Sequence, residues 1–164
     1  MKRFLVCFCM AVLVIVCSGQ GTALVASVYW TSLTGTPQIE RSADDGTNIQ
    51  SLITAGLNEP MSLDLDHAAE KMYWTELMGG VKRADLNGSN VETLVPFTGG
   101  VTGFGMALDT FNHKMYWSLS NLNKIQRANL DGSNVEDVVA TPGGPLESPL
   151  IVIATKSIGP KGIR

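Results

Sequence analysis

The stretch GVKRADLNGSNVETLV at residues 80–95 returns as KIQRANLDGSNVEDVV at residues 124–139. Matching residues 81–95 to 125–139 gives fifteen pairs, nine of them identical. Two further landmarks keep the same phase. Tyr-Trp pairs stand at 29–30, 73–74 and 116–117, and turn sequences Asp45-Gly46-Thr47-Asn48, Asn87-Gly88-Ser89-Asn90 and Asp131-Gly132-Ser133-Asn134 lie 42 and 44 residues apart. A unit written three times is one that cannot bury its own faces and must stack on copies of itself. A period of about 40–45 residues fits a four-stranded propeller blade or a helical HEAT or armadillo unit.

Local chemistry selects the blade. Asp-Gly and Asn-Gly between apolar stretches are hairpin signals, and they predict type I′ turns with positive φ at both positions. Leu63-Asp64-Leu65-Asp66 alternates with period two, and Met72-Tyr73-Trp74-Thr75 and Met115-Tyr116-Trp117-Ser118 carry strand-forming side chains. The 17 glycines and 7 prolines punctuate the chain every ten residues or so. The unit is therefore all-β. Strands are expected at 61–66, 71–76, 80–86 and 91–95, then at 104–109, 114–119, 124–130 and 135–139. The first repeat supplies 26–32, 37–42 and 49–53. Its inner strand would fall inside residues 1–23, while residues 148–154 align with 59–65 and a strand at 148–155 is expected to close that blade.

Residues 1–23 read as a secretory signal, with Lys2 and Arg3 ahead of a 14-residue apolar run at 4–17. Such a run is shorter than the span of about 20 residues that a membrane helix needs. The cut is expected at 19–23. All three cysteines, Cys7, Cys9 and Cys17, lie in this segment, so the exported part would hold together without disulfides. Without Lys2 and Arg3 the remainder carries 10 basic against 15 acidic residues and no basic cluster. That balance gives no footing for nucleic acid or anionic lipid.

The motifs KMYWTE (71–76), KMYWSL (114–119) and VYWTS (28–32), each followed by an Arg-x-x-x-Asp/Asn-Gly hairpin, resemble the class B or YWTD repeats of low-density lipoprotein receptors. The resemblance runs over 28–155. It implies a β-propeller of YWTD type with three four-stranded blades, half of a six-bladed ring. The blades fall at about 24–56, 57–99 and 100–140, with a closing strand at 148–155 and a tail at 156–164. The implied role is extracellular, secreted or at the cell surface: binding a protein ligand, without catalysis and without a cofactor. The fourth motif residue departs from the family's aspartate, being Ser32, Glu76 and Leu119. Three blades leave two blade faces bare. A homodimer completing a ring of six is one outcome, and a segment of a larger receptor-like propeller is the other.

The repeated residues read as framework. Tyr29, Trp30, Tyr73, Trp74, Tyr116 and Trp117 occupy adjacent strand positions, so each pair points to opposite faces of its blade. Arg41, Arg83 and Arg127 are expected to pair with nearby carboxylates, Glu76 with Arg83 among them. Gly46, Gly88 and Gly132 serve the turns, and Asp66 and Asp109 end the inner strands. Asn87-Gly88-Ser89 also forms an N-glycosylation sequon. A calcium-dependent propeller hydrolase is the enzymatic alternative, with Asp64, Asp66 and Asp109 around the channel. Neither His67 nor His113 has a candidate nucleophile beside it in sequence, and no metal-ligand spacing is present. Ligand binding belongs where the loops vary while the framework repeats. Those loops are 33–36, 77–80, 120–123, 96–103 and 141–148, and they offer Leu33, Met78, Phe97 and Leu122 as apolar contact residues.

Overall fold

The computed structural model describes residues 26–140, together with the backbone of Ala11–Val14. The expected leader is therefore outside the described residues except for that strand, and so are the closing strand 148–155 and the tail.

Among the described residues, twelve strands form three four-stranded antiparallel sheets. The first blade contains β1 (Ala11–Val14), β2 (Ser27–Ser32), β3 (Gln38–Ala43) and β4 (Gln50–Ile53). The second contains β5 (Pro60–Asp66), β6 (Lys71–Glu76), β7 (Gly80–Asp85) and β8 (Glu92–Val95). The third contains β9 (Gly103–Asp109), β10 (Lys114–Leu119), β11 (Lys124–Asn129) and β12 (Glu136–Ala140), with a single 3-10 turn at Ser120–Leu122. The eleven expected strands agree with β2 to β12 to within one residue at each end.

The inner position of the first blade is filled from within residues 1–23. Ala11–Val14 fills it, pairing antiparallel with β2 so that Ala11 faces Trp30 and Val14 faces Ser27. A continuous apolar run serves equally as a signal core or as a strand buried on both faces, and periodicity does not separate the two.

Pleat parity explains how the blades stack. Tyr73 pairs across with Arg83 and Trp74 with Lys82, so the two aromatic rings leave the sheet on opposite sides. Tyr29, Ile39 and Ile53 of the first blade form one core with Leu63, Leu65, Met72, Trp74 and Ala84 of the second. Tyr73 and Val81 form the next core with Met106, Met115, Trp117, Leu119 and Ala128 of the third. Tyrosine faces forward and tryptophan faces back at both junctions.

Polar bonds hold the same junctions at the inner strands. Thr31 Oγ1 donates to the Met61 carbonyl at 3.4 Å, and Thr75 repeats the bond to the Phe104 carbonyl. Ser62 Oγ accepts from the Met106 N–H at 3.1 Å, and Asp64 Oδ2 accepts from the Leu108 N–H at 2.8 Å. A buried strand edge would otherwise carry unsatisfied amides.

The hairpin turns differ in type from the expectation. Of each Asx-Gly pair only the glycine has positive φ, Gly46 at 79°, Gly88 at 86° and Gly132 at 87°, and the second left-handed residue of each turn is the asparagine two positions on, Asn48, Asn90 or Asn134. The i to i+3 bond runs from the Gly46 N–H to the Ala43 carbonyl, and it recurs at Gly88 and Gly132. The side chain of Asp45, Asn87 or Asp131 accepts the N–H two residues on at 2.9 Å in each blade. That Asx bond holds the residue before glycine on the right-handed side, so a six-residue connection replaces the two-residue turn. The glycine also permits close approach. A Cβ at Gly88 would lie 2.5 Å from the Leu52 carbonyl oxygen, and one at Gly132 2.8 Å from that of Leu94.

Candidate functional site

The up-and-down strands sort the connections onto two faces. One carries the hairpin turns near 44–49, 67–70, 86–91, 110–113 and 130–135. The opposite face carries the variable loops near 33–37, 54–59, 77–79, 96–102 and 120–123.

The variable loops are tied to one another. The Leu77 N–H donates to the Glu59 carbonyl at 3.0 Å, the Gly103 N–H to the Leu77 carbonyl at 3.0 Å, and the Ser120 N–H to the Thr102 carbonyl at 3.1 Å. Asn121 fastens the third loop by accepting from the Thr102 N–H at 3.0 Å and donating to the Gly100 carbonyl at 2.8 Å. Four of the five loops on this face are thus joined into one hydrogen-bonded platform. Met78 is 52% exposed on it and Leu122 is 43% exposed. Leu33 is half-buried. Phe97 packs against the second inter-blade core, with its ring over Gly103. Two of the four apolar residues therefore present themselves to solvent, and Phe97 tucks beneath its own loop.

The arginines line clefts on the hairpin face. Arg41 lies over the Tyr29 ring and Arg83 over the Tyr73 ring, both at 5.8 Å. The expected Glu76–Arg83 pair does not form. Arg83 shares a side of the sheet with Tyr73 and pairs with Glu92 at 2.6 Å, while its Nη1 donates to the Leu130 carbonyl of the next blade at 3.1 Å. Glu76 lies on the Trp74 side, where it meets Lys82 at 3.0 Å and accepts from Trp74 Nε1 at 3.3 Å. Arg127 pairs with Glu136 at 2.7 Å and Arg41 donates to Gln50 at 2.6 Å, so the carboxylate or amide partner comes from the outer strand. The same parity that separates tyrosine from tryptophan decides this pairing, and it was available in the sequence.

Two clefts result. One of about 660 Å³ between the second and third blades is lined by Asp66, Tyr73, Arg83, His113 and Asp131 among others. The other, of about 470 Å³, is lined by Arg41, Glu70, Lys71, Asp85 and Asn87 with two neighbours. Both hold mixed charge already paired within the protein. Lys71, together with Asn90 and Ser89, holds the Asp85 carboxyl down to about 2. Hydrogen bonds from Thr47, Asn112 and Ser133 keep Asp45, Asp109 and Asp131 below the ordinary carboxylate range.

The carboxylates of the hydrolase alternative are occupied by the fold. Asp64 accepts from the amides of Leu65 and Leu108, Asp66 from that of Ala69, and Asp109 from the Asn112 amide and side chain. Burial pushes Asp64 upward despite its two backbone bonds. Asp66 and Asp109 act as turn caps. Among the described residues no three His, Cys, Asp or Glu side chains gather in a metal-holding group. Asn87 is exposed in its turn, where its Oδ1 accepts from the N–H and hydroxyl of Ser89.

Each blade treats the indole N–H of its motif tryptophan differently. Trp30 Nε1 donates to Glu40 at 2.9 Å, Trp74 Nε1 to Glu76, and Trp117 Nε1 has no partner among the described residues, Leu119 standing where Glu76 does. Sequence inspection marks Leu119 as a departure but does not reveal the orphaned indole.

No family model matches the sequence. Individual proteins do. Nidogen-2 of Mus musculus is 37% identical over 68 residues, 41% of this chain and 5% of nidogen-2. Low-density lipoprotein receptor-related protein 5-like protein of Homo sapiens is 32% identical over 101 residues, covering 60% of this chain and 39% of that protein. The chain thus spans well under half the length of either relative. A solved nidogen/laminin complex superposes with a TM-score of 0.65 at 25% identity, over 73% of this chain and 46% of that one. Phased Tyr-Trp and Asx-Gly motifs and these likenesses agree: the chain is built of four-stranded β-propeller blades similar to the YWTD blades of nidogen and the low-density lipoprotein receptor-related proteins.

Proposed function

We propose that this chain is an extracellular, non-catalytic binding module that recognises a protein ligand through its variable-loop face. The observation that carries the reading is the hydrogen-bonded loop platform with Met78 and Leu122 exposed upon it. Rigid loops lose little entropy on binding, and apolar residues on such a platform suit a contact hot spot. Leu33 stands half-buried on the same face, and Phe97 supports the platform from beneath. The relatives support an extracellular setting, and the leader-like residues 1–23 agree with export. Ala11–Val14 serves as β1 in the full chain, and removal of a leader would free the edge of β2 for the segment 148–155. Asn87, exposed on the opposite face, is positioned to carry a glycan without covering the loops.

Because one relative was solved with laminin, purified laminin is the first protein to test. Immobilised chain should bind it, and Met78→Asp with Leu122→Asp should weaken binding by about tenfold or more, the equivalent of about 1.4 kcal/mol. Phe111→Ser, at an 86% exposed residue on the hairpin face, should leave binding unchanged. Absence of binding, or equal binding by all variants, contradicts the reading.

A further inference from the structure

The third blade ends on a face whose cover is visible elsewhere in the same molecule. In the second blade, Tyr73 and Val81 are buried to within 1% and Leu94 and Val95 pack with them against the third blade. Their counterparts by repeat are Tyr116, Ile125, Val138 and Val139. Tyr116 and Ile125 are only half-buried, and Val138 and Val139 are 44% and 40% exposed. A blade is therefore the shape that fits there.

The opposite end of the arc carries the matching features. At the second junction, Arg83 reaches the carbonyl of Leu130, and its positive charge also helps to hold down the Asp131 carboxyl beside it. In the first blade the positions of Leu130 and Asp131 are Asp44 and Asp45, both exposed. The cation that would meet them from a third blade is Arg127. Gly46 repeats the glycines that let the Leu52 and Leu94 carbonyls approach Gly88 and Gly132, yet nothing lies within 4 Å of a Cβ placed there. The counterpart of Leu52 and Leu94 is Val138.

We propose that the open face of the third blade docks the first blade of a second copy of this chain, with Arg127 set against Asp44 and Asp45 and the Val138 backbone against Gly46. Two arcs of three blades then close a ring of six, within the range of four to eight blades that propellers adopt. Two-fold symmetry makes both junctions the same contact. Asp44 in place of a half-buried leucine gives this junction a carboxylate where the internal junctions carry an apolar side chain, and Arg127 supplies its opposite charge. This surface is separate from the loop face, so it stands or falls without the ligand reading.

Light scattering on the purified full chain reads the proposal. Wild type should run as a discrete dimer near twice 17.5 kDa. Arg127→Glu and Asp44→Lys should each weaken the dimer by about a hundredfold, since like charges then meet at both junctions. Mixing the two single variants should restore the dimer, because one junction becomes Glu against Lys and the other keeps Arg against Asp. Wild-type-like circular dichroism spectra show that the single variants remain folded. A folded monomeric wild type, as expected of an arc completed by further blades of a longer chain, overturns the proposal. So do a polydisperse aggregate, a dimer indifferent to either substitution, and singles that fail to dimerise on mixing.

Discussion

Replacing Trp74 with alanine should cost about 3–5 kcal/mol, the range for deleting a large aromatic side chain from a packed core. A domain of this kind is stable by about 5–15 kcal/mol, so one such change removes a large share of the margin. Trp74 is fully buried, and its ring closes the core shared by the first two blades. Trp30 occupies the same motif position but sits on the bare face of the first blade, only half-buried. Trp30→Ala should cost about 1–2 kcal/mol, the value of partial burial. Urea unfolding followed by circular dichroism checks both. Equal losses at the two positions would mean that stacking between blades contributes little, and that each tryptophan serves its own sheet.

Lys82→Gln should be nearly as damaging, at about 3–5 kcal/mol, because it strands the Glu76 carboxylate in a fully buried place without its cation. Lys82 also donates to the Gly56 carbonyl at 2.9 Å, tying the second blade to the loop before it. The third blade shows how the pair can be dispensed with, for it holds Leu119 and Gln126 at the equivalent positions. Adding Glu76→Leu to Lys82→Gln copies that solution. The double variant should return to within about 2 kcal/mol of wild type, the remaining deficit coming from an unbonded Trp74 indole. Thermal and urea melts of the two singles and the double make the measurement. A double variant no more stable than Lys82→Gln alone would show that the cost lies elsewhere than in the stranded charge.

Period and parity made much of this molecule legible beforehand. Period-two alternation at Leu63-Asp64-Leu65-Asp66 and the phased aromatic pairs located β2 to β12, and the alternation of Tyr73 with Trp74 predicted that each core joins two blades. Misses came where one residue type satisfies two rules. Asp45-Gly46 and its counterparts suit a type I′ turn, yet the Asx bond to the residue after glycine selects a longer connection. Glu76 was matched to Arg83 by nearness in sequence, whereas strand parity gives it Lys82. The binding face is the least legible part, because exposure of Met78 and burial of Phe97 depend on loop packing that no period encodes. Phe97 lies against Gly103 only because the loops of neighbouring blades are tied together.

The central claim is that the blades stack in phase, tyrosine facing forward and tryptophan facing back. Methyl-labelled methionine tests it most directly, since Met72 is buried at the first junction and Met106 and Met115 at the second. Nuclear Overhauser spectra of the full chain should connect the Met72 methyl with protons of Tyr29 or Ile39 in the first blade. The Met106 and Met115 methyls should connect with Tyr73 or Val81 in the second. Methyl contacts confined to each methionine's own blade would contradict the stacking, and with it the placement of both faces.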